Sequence, residues 1–143
     1  MEKGGFTFDL WPIASVYCSA SKAGGKIDTV YREYKLTAEQ AVNEFGEENL
    51  SEGTRKLAKE KPQEMVSFVH AIYPRTTHMV GAKLAKNMPV ASCKVEVEAK
   101  RLVSESGYHE MPVVVPRWMM IPDSVYAVGP VFDALPDSRT LNE

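Results

Sequence analysis

The fold is decided by one stretch of the sequence, Met65-Val66-Ser67-Phe68-Val69-His70-Ala71-Ile72-Tyr73. Its large apolar residues occupy both halves of the alternating pattern of a strand, so little of either face is left for solvent. A strand that is apolar on both faces belongs in the middle of a sheet. We therefore predict a β-sheet protein in which residues 65–73 form the central strand.

Two strands are predicted before this central strand. Residues 6–17 are rich in aromatic and branched side chains but include Pro12, which indicates an edge strand or two short strands. Residues 21–25 supply a turn, and residues 26–36 mix polar and apolar side chains on both faces, as expected for a partly covered sheet. The two segments are expected to pair as a hairpin.

Two short helices are predicted between the second and the central strand. Thr37 and Gln40 have the spacing of a capping box, and Gly46 ends an apolar stripe formed by Ala38, Ala41, Val42 and Phe45. Ser51 begins a second helix that runs through Lys59 and ends before Pro62. Because Leu57 is its only large apolar residue, this second helix is expected on the surface.

An antiparallel meander is predicted after the central strand. Residues 74–89 are polar and small, which indicates an exposed and mobile connection. Residues 92–97 alternate as a half-buried strand with its charged side chains towards solvent, and residues 102–106 return as its partner. Residues 113–120 are predicted to form a further strand. The predicted class is therefore α+β: one domain over residues 1–143, with a mixed, mainly antiparallel sheet, two short inserted helices and a helix that starts at the C-terminus.

Composition excludes several classes of protein. The chain has 143 residues, 44% of them hydrophobic, which suits one domain with an ordinary core. Its 17 basic and 19 acidic residues give no broad positive field for holding nucleic acid. Cys18 and Cys93 are expected to be reduced, packed thiols. Without an export signal or a membrane-length apolar run, the protein is expected in the cytosol when it is made.

Catalytic and metal-binding patterns are weak in this sequence. His70, His78 and His109 have no partner at metal-ligand spacing; His70 is expected to be hydrogen-bonded within the sheet and the other two to be exposed. A nucleophilic pair of Cys93 and His70 stays open, because such partners meet in space rather than along the chain. Gly24-Gly25 lacks the other residues of a phosphate loop. We predict no enzyme activity, no cofactor and no metal site.

Acidic residues give no better support for acid–base chemistry. The candidates lie in charged strands or loops, where a solvated face explains them equally well. They are Glu33, Glu96, Glu98, Glu105 and Glu110.

Two arginines lie beside aromatic residues at predicted strand ends. They are Arg75, after Tyr73-Pro74, and Arg117, directly before Trp118. A guanidinium in this position stacks on a ring or pairs across an interface. Arg75, Arg117 and Trp118 are therefore candidate subunit contacts, and the alternative is that each arginine covers a ring within its own subunit.

A turn is predicted just before the C-terminal helix, at Gly129-Pro130. Proline is favoured in the first turn of a helix, and Asp133 or Asp137 near that N-terminus complements the helix dipole. Gly129 and Pro130 are therefore assigned a structural role.

The C-terminal part of the chain carries a recognisable order of short motifs. It runs through Met111-Pro112-Val113-Val114-Val115-Pro116-Arg117-Trp118, Tyr126, Gly129-Pro130, Asp133-Ala134-Leu135-Pro136-Asp137 and Thr140-Leu141-Asn142-Glu143. Residues 27–34, 36–41 and 103–108 agree in the same order. Together these blocks resemble the head-to-tail connecting, or portal, proteins of short-tailed bacteriophages. One departure is Tyr126-Ala127-Val128, where the family usually has a Tyr-Gly pair followed by an arginine or similar residue.

The resemblance implies a structural component of the virion. It places residues 1–143 in the wing, or peripheral, region of a portal whose stem, clip and crown segments are absent here. Such proteins form a dodecameric ring at one capsid vertex, work with capsid, scaffold, terminase and tail proteins, and pass double-stranded DNA through the channel. The implied locations are the virion and, during assembly, the host cytoplasm, with no membrane partner and no DNA contact from this segment.

Other functions stay open from the sequence alone. The chain is also compatible with a non-catalytic protein-binding module or an inactive prophage remnant, and less so with a Cys/His hydrolase. Because the stem that joins neighbouring subunits is absent, residues 1–143 by themselves are expected to be a monomer or a weak oligomer.

Overall fold

The structure is a computed structural model that describes residues 8–22, 25–79, 81 and 83–141, with the side chains of residues 137 and 138 left aside. Three residues named in the sequence analysis lie outside this description: Phe6, at the start of the first predicted strand, Gly24 in the predicted turn, and the side chain of Asp137 near the C-terminal helix. The elements, in chain order, are β1 (Val16–Ser19), β2 (Thr29–Thr37), α1 (Ala38–Phe45), α2 (Glu52–Glu60), β3 (Met65–Pro74), β4 (Val90–Glu96), β5 (Arg101–Tyr108), β6 (Met119–Met120), β7 (Ala127–Val128) and α3 (Val131–Leu141).

The first five strands form one antiparallel sheet in the order β1-β2-β3-β4-β5. Strand β3 is therefore central, and β1 and β2 form a hairpin, as predicted. The first predicted strand is shorter than expected, because a single 3-10 turn at Ile13–Ser15 follows Pro12 and delays pairing until Val16. The α+β class predicted from the sequence is confirmed.

Helix α1 begins and ends where its sequence predicts. Thr37 accepts a hydrogen bond from the Gln40 amide, and the Gln40 side chain accepts one from the Thr37 amide, which completes the capping box. Gly46 ends the helix with φ of 79°, a conformation that favours glycine.

One face of the sheet, which we call the covered face, carries the hydrophobic core. At one end of it, α1 and α2 pack over Val66 and Phe68. At the other end, Val16, Cys18 and Val30 lie under side chains from both ends of the chain, namely Trp11, Ile27, Met111, Val113, Val115 and Val125.

The opposite face, which we call the open face, receives no α-helix in the described part of the chain, and only a single 3-10 turn at Ala85–Asn87 lies over one end of it. Its side chains alternate with those of the covered face along each strand. They include the apolar or aromatic Tyr17, Tyr31, Val69, Ala71, Tyr73, Cys93, Val95 and Leu102, and the polar or charged Ser19, Glu33, Lys35, Ser67 and Glu105. The connection between β3 and β4 lies over one end of this face, where a Cβ on Gly107 would stand 2.1 Å from the Ala85 carbonyl oxygen. Only glycine fits at that contact.

The prediction that Glu96 lies on a solvated face is wrong. Glu96 is only 2% exposed, and its carboxylate accepts hydrogen bonds from the Ser51 amide (3.1 Å), the Ser51 hydroxyl (2.5 Å) and the Thr54 hydroxyl (2.6 Å). It therefore supplies negative charge at the start of α2, where the helix dipole favours it. Strand β4 thus joins the sheet to α2 through a buried polar contact.

The prediction of a strand over residues 113–120 is also wrong. Residues 111–117 are extended but pair with no strand among the described residues, and only Met119–Met120 pairs, with Ala127–Val128. The physical reason is that Pro112 and Pro116 lack amide donors, which leaves too few for a ladder. We call residues 111–130 the arm.

Candidate assembly surface

The Cys93 and His70 pair is excluded by the position of the two side chains. Cys93 lies opposite Ala71 in the register of β3 and β4, whereas His70 lies opposite Lys94. Because neighbouring residues of a strand point to opposite faces, His70 is on the covered face and Cys93 is on the open face. The hydrolase alternative therefore has no nucleophile–base contact to support it.

His70 is a packed sheet residue, as the sequence predicts. Its Nε2 lies 2.8 Å from the Ser92 hydroxyl, and its ring meets the Trp11 ring edge-on at 5.6 Å between centroids. Burial, with help from the nearby cations Lys94 and Arg32, lowers the pKa of His70 to about 4. The imidazole is therefore neutral at physiological pH and serves packing between the two ends of the core. His78 and His109 are exposed, as predicted.

Both cysteines are buried free thiols, as the sequence predicts. Burial raises the pKa of the Cys18 thiol, which disfavours the reactive thiolate. Among the described residues, no group of three or more His, Cys, Asp or Glu side chains is arranged to hold a metal ion. Within that same part of the chain, no helix is long and apolar enough to cross a membrane.

Arg75 is engaged inside its own chain. Its Nη2 donates to Glu105 Oε1 at 2.8 Å and to the Ser106 carbonyl oxygen at 3.2 Å, and the side chains of the ion pair are mostly buried. Tyr73 lies beside this pair, with its hydroxyl 3.6 Å from the Cys93 sulfur. These contacts fix the end of β3 against β5. A contact between Arg75 and a neighbouring subunit stays a prediction.

Arg117 and Trp118 lie on the arm, directly before β6. The arm is held to the covered face by Val113 and Val115, while Trp118 is 77% exposed. The ion pairs in the described part of the chain are Lys56–Glu60, Arg75–Glu105 and Lys94–Glu44, so Arg117 takes part in none of them. Arg117 is half-buried, like Val113 and Val115, so it differs from its neighbour Trp118, whose indole is exposed.

Gly129 and Pro130 lead directly into α3. The Phe132 amide donates to the Gly129 carbonyl oxygen at 3.1 Å, and Asp133 is in the first turn of the helix. Both features suit the predicted role of starting a helix. Tyr126, just before this turn, accepts a hydrogen bond from the Cys18 amide at 3.2 Å, which closes the outer edge of β1 at that point.

The open face is the surface that sequence reasoning missed. Tyr17 is 57% exposed, Tyr31 41% and Leu102 49%, while Val69 and Val95 between them are half-buried. A solvent face of an antiparallel sheet is normally polar, whereas this one mixes these apolar side chains with polar ones such as Lys35, Ser67 and Glu105. The signal in the sequence that could have indicated this surface is that both faces of β3 are apolar. The same pattern also fits a strand whose two faces are both covered within one chain, so it does not identify an exposed face.

The known proteins to which this chain is similar come from bacteriophages. A family model described as bacteriophage head to tail connecting protein matches residues 1–143. The probable portal protein of Bordetella phage BPP-1 is 32% identical over 131 residues, which is 90% of this chain and 24% of the relative. The portal protein of Salmonella phage epsilon15 is 33% identical over 120 residues, 82% of this chain and 21% of the relative. The chain thus spans under a quarter of the length of these curated relatives.

Proposed function

We propose that this chain, which belongs to the bacteriophage head to tail connecting protein family, is part of a portal. In this proposal, residues 1–143 form part of the peripheral wing region. The complete protein assembles as a dodecameric ring at one capsid vertex, passes double-stranded DNA and holds the tail. The single observation that carries the proposal is the family match over the entire chain.

The physical character of the chain supports a role in assembly. The described residues expose large apolar side chains on the open face, such as Tyr17 and Leu102, and on the arm, such as Val114 and Trp118. Such surfaces mark contacts with other proteins. The chain is also near neutral in charge, and Cys93 and His70 lie on opposite faces of the sheet, which favours a role in contacts.

The proposed partners follow from the place of a portal in the particle. They are further copies of the same protein and the capsid, scaffold, terminase and tail proteins. The proposed locations are the virion and, during assembly, the host cytoplasm. No DNA contact is assigned to residues 1–143, because their charge is balanced.

The test is the oligomeric state of the product of the complete reading frame that contains this segment. We expect light scattering to give a mass near twelve subunits, and negative-stain images to show rings with a central channel. A uniform monomer under the same conditions contradicts the proposal and favours a binding module or a prophage remnant. Residues 1–143 alone should be a monomer or weak oligomer, and a stable large ring from them contradicts that expectation.

A further inference from the structure

The first part of the arm has the alternating burial of a β-strand, although it pairs with no strand among the described residues. Met111, Val113 and Val115 face the cluster on the covered face, and Arg117 is half-buried like them. The residues between them, and Trp118, are exposed. A burial period of two residues is that of an extended strand rather than of an irregular loop.

The two prolines of the arm affect only one of its two edges. Amides of alternate residues in a strand point to opposite edges, so the even-numbered and odd-numbered residues of the arm donate to different edges. Pro112 and Pro116 are both even-numbered, which leaves Val114 as the donor between them on that edge, the proline edge. The other edge, which we call the free edge, keeps the amides of Val113, Val115 and Arg117.

The free edge has no backbone partner in the part of the chain that the structure describes. There, no backbone amide or carbonyl group of residues 111–117 is hydrogen-bonded to another backbone group. Within sheets, proline is confined to edge strands, where its missing amide faces the unpaired side. The arm therefore has the pattern of an edge strand whose one neighbour is missing.

The elements that follow also lack a covering layer. Every described side chain of α3 is exposed, including Val131 (72%), Phe132 (63%) and Leu135 (44%), which lie on one side of the helix. The ribbon of β6 and β7 has only two strands, which are marginally stable in water by themselves. The missing neighbour of the arm therefore belongs to a larger layer rather than to a small contact.

We propose that the free edge of residues 113–117 receives a β-strand from the same polypeptide, from a segment outside residues 1–143. The exposed Val114 (85%) and Trp118 (77%) would then have apolar side chains of that strand beside them. The length of the relatives supports this source, because the matched residues are only 24% and 21% of the two portal proteins. A tethered segment also has a high effective concentration. The inference goes beyond the proposed function and does not require that the complete protein closes into a ring.

The test is hydrogen exchange at single amides in the product of the complete reading frame, measured by mass spectrometry with electron-transfer fragmentation. We expect the amides of Val113 and Val115 to exchange at least about 100-fold more slowly than that of Val114, because only the first two lie on the free edge. Val114 is the matched control, since all three are valines in one extended segment. The monomer fraction isolated by gel filtration should show the same pattern, because the added strand belongs to the same polypeptide.

Two proline variants test the two edges separately. Val113→Pro removes a donor of the free edge and should raise the exchange rate at Val115 at least about tenfold. Val114→Pro removes a donor of the proline edge and should leave that rate unchanged. Val113→Ala keeps the amide but shortens a side chain packed on the covered face, so it should raise the rate less than Val113→Pro does.

Every other pattern of exchange contradicts the inference. Equal rates at the three valines, fast or slow, exclude a strand paired with the free edge, and slow exchange at Val114 alone places the strand on the proline edge. Slow exchange at Val113 and Val115 that is present in rings and lost in the monomer assigns the strand to a neighbouring copy and overturns its origin in the same polypeptide. Alternating rates in a protein that forms no ring remove the proposed function and leave this inference standing.

Discussion

Replacing Glu96 by alanine should destabilise the fold by removing the acceptor that begins α2. The Ser51 amide and the buried Thr54 hydroxyl each lose their partner on Glu96, at a cost of about 1–3 kcal/mol for each unsatisfied group. Loss of the negative charge at the helix N-terminus adds about 0.3–1 kcal/mol. The alanine variant no longer has a carboxylate to desolvate, which offsets part of this loss. We expect a net decrease of about 2–4 kcal/mol in the free energy of unfolding.

Urea unfolding followed by circular dichroism measures this decrease directly. Glu96→Gln keeps one acceptor and should lie between wild type and Glu96→Ala. Glu98→Ala removes the same charge two residues later, at an exposed position, and should stay within about 0.5 kcal/mol of wild type. The reasoning is refuted if Glu96→Ala unfolds within about 1 kcal/mol of wild type, because the buried hydrogen bonds to α2 then contribute little.

Three further predictions concern the packing of the sheet. Gly107→Ala should lower stability by about 1–3 kcal/mol in thermal melting, since the new Cβ would meet the Ala85 carbonyl oxygen. Gly53→Ala is the control: no atom lies nearer than 3.9 Å to a Cβ at that position, so the variant should be neutral or stabilising by up to about 1 kcal/mol. The pKa of His70 is about 4 in the fold and near 6.5 in the unfolded chain. The free energy of unfolding should therefore be highest above pH 6.5 and should decrease as the pH falls to 4, by about 3 kcal/mol in total. Urea unfolding across that pH range should show this decrease in wild type and a smaller decrease in His70→Gln. An equal dependence of the free energy of unfolding on pH in the two proteins would contradict the role of His70. Tyr126→Phe should speed hydrogen exchange at the Cys18 amide about fivefold, while Tyr17→Phe leaves that rate unchanged; equal rates in all three proteins would exclude the edge contact.

Local signals in the sequence predicted the elements that depend on neighbouring residues. The capping box of Thr37 and Gln40 and the terminal Gly46 fix α1 within a few residues, so its bounds were predictable. The central position of β3 followed from its apolar side chains on both faces. These features are determined by periodicity and turn chemistry alone.

The misplaced Glu96 shows where local signals fail. Its partners Ser51 and Thr54 lie 45 and 42 residues earlier in the chain, so no window around β4 contains the reason for its burial. The register between β4 and β5 also shifts between Lys94 and Val95, which leaves Val103 as an extra residue on β5 and breaks the alternation of that strand.

The candidate contacts were only partly predictable. An arginine next to an aromatic residue is visible in the sequence at Arg75 and at Arg117, but the two differ in the fold: Arg75 is paired with Glu105, and Arg117 has no such partner among the described residues. The open face required the register of five strands, because its side chains come from separate segments of the chain.

The most direct measurement is an electron cryomicroscopy map of the product of the complete reading frame, at a resolution that traces the sheet. We predict a ring with a central channel in which residues 1–143 lie in the peripheral wing region. A ring whose channel is lined by residues 1–143 would contradict the wing assignment, and particles without ring symmetry would contradict the portal function itself.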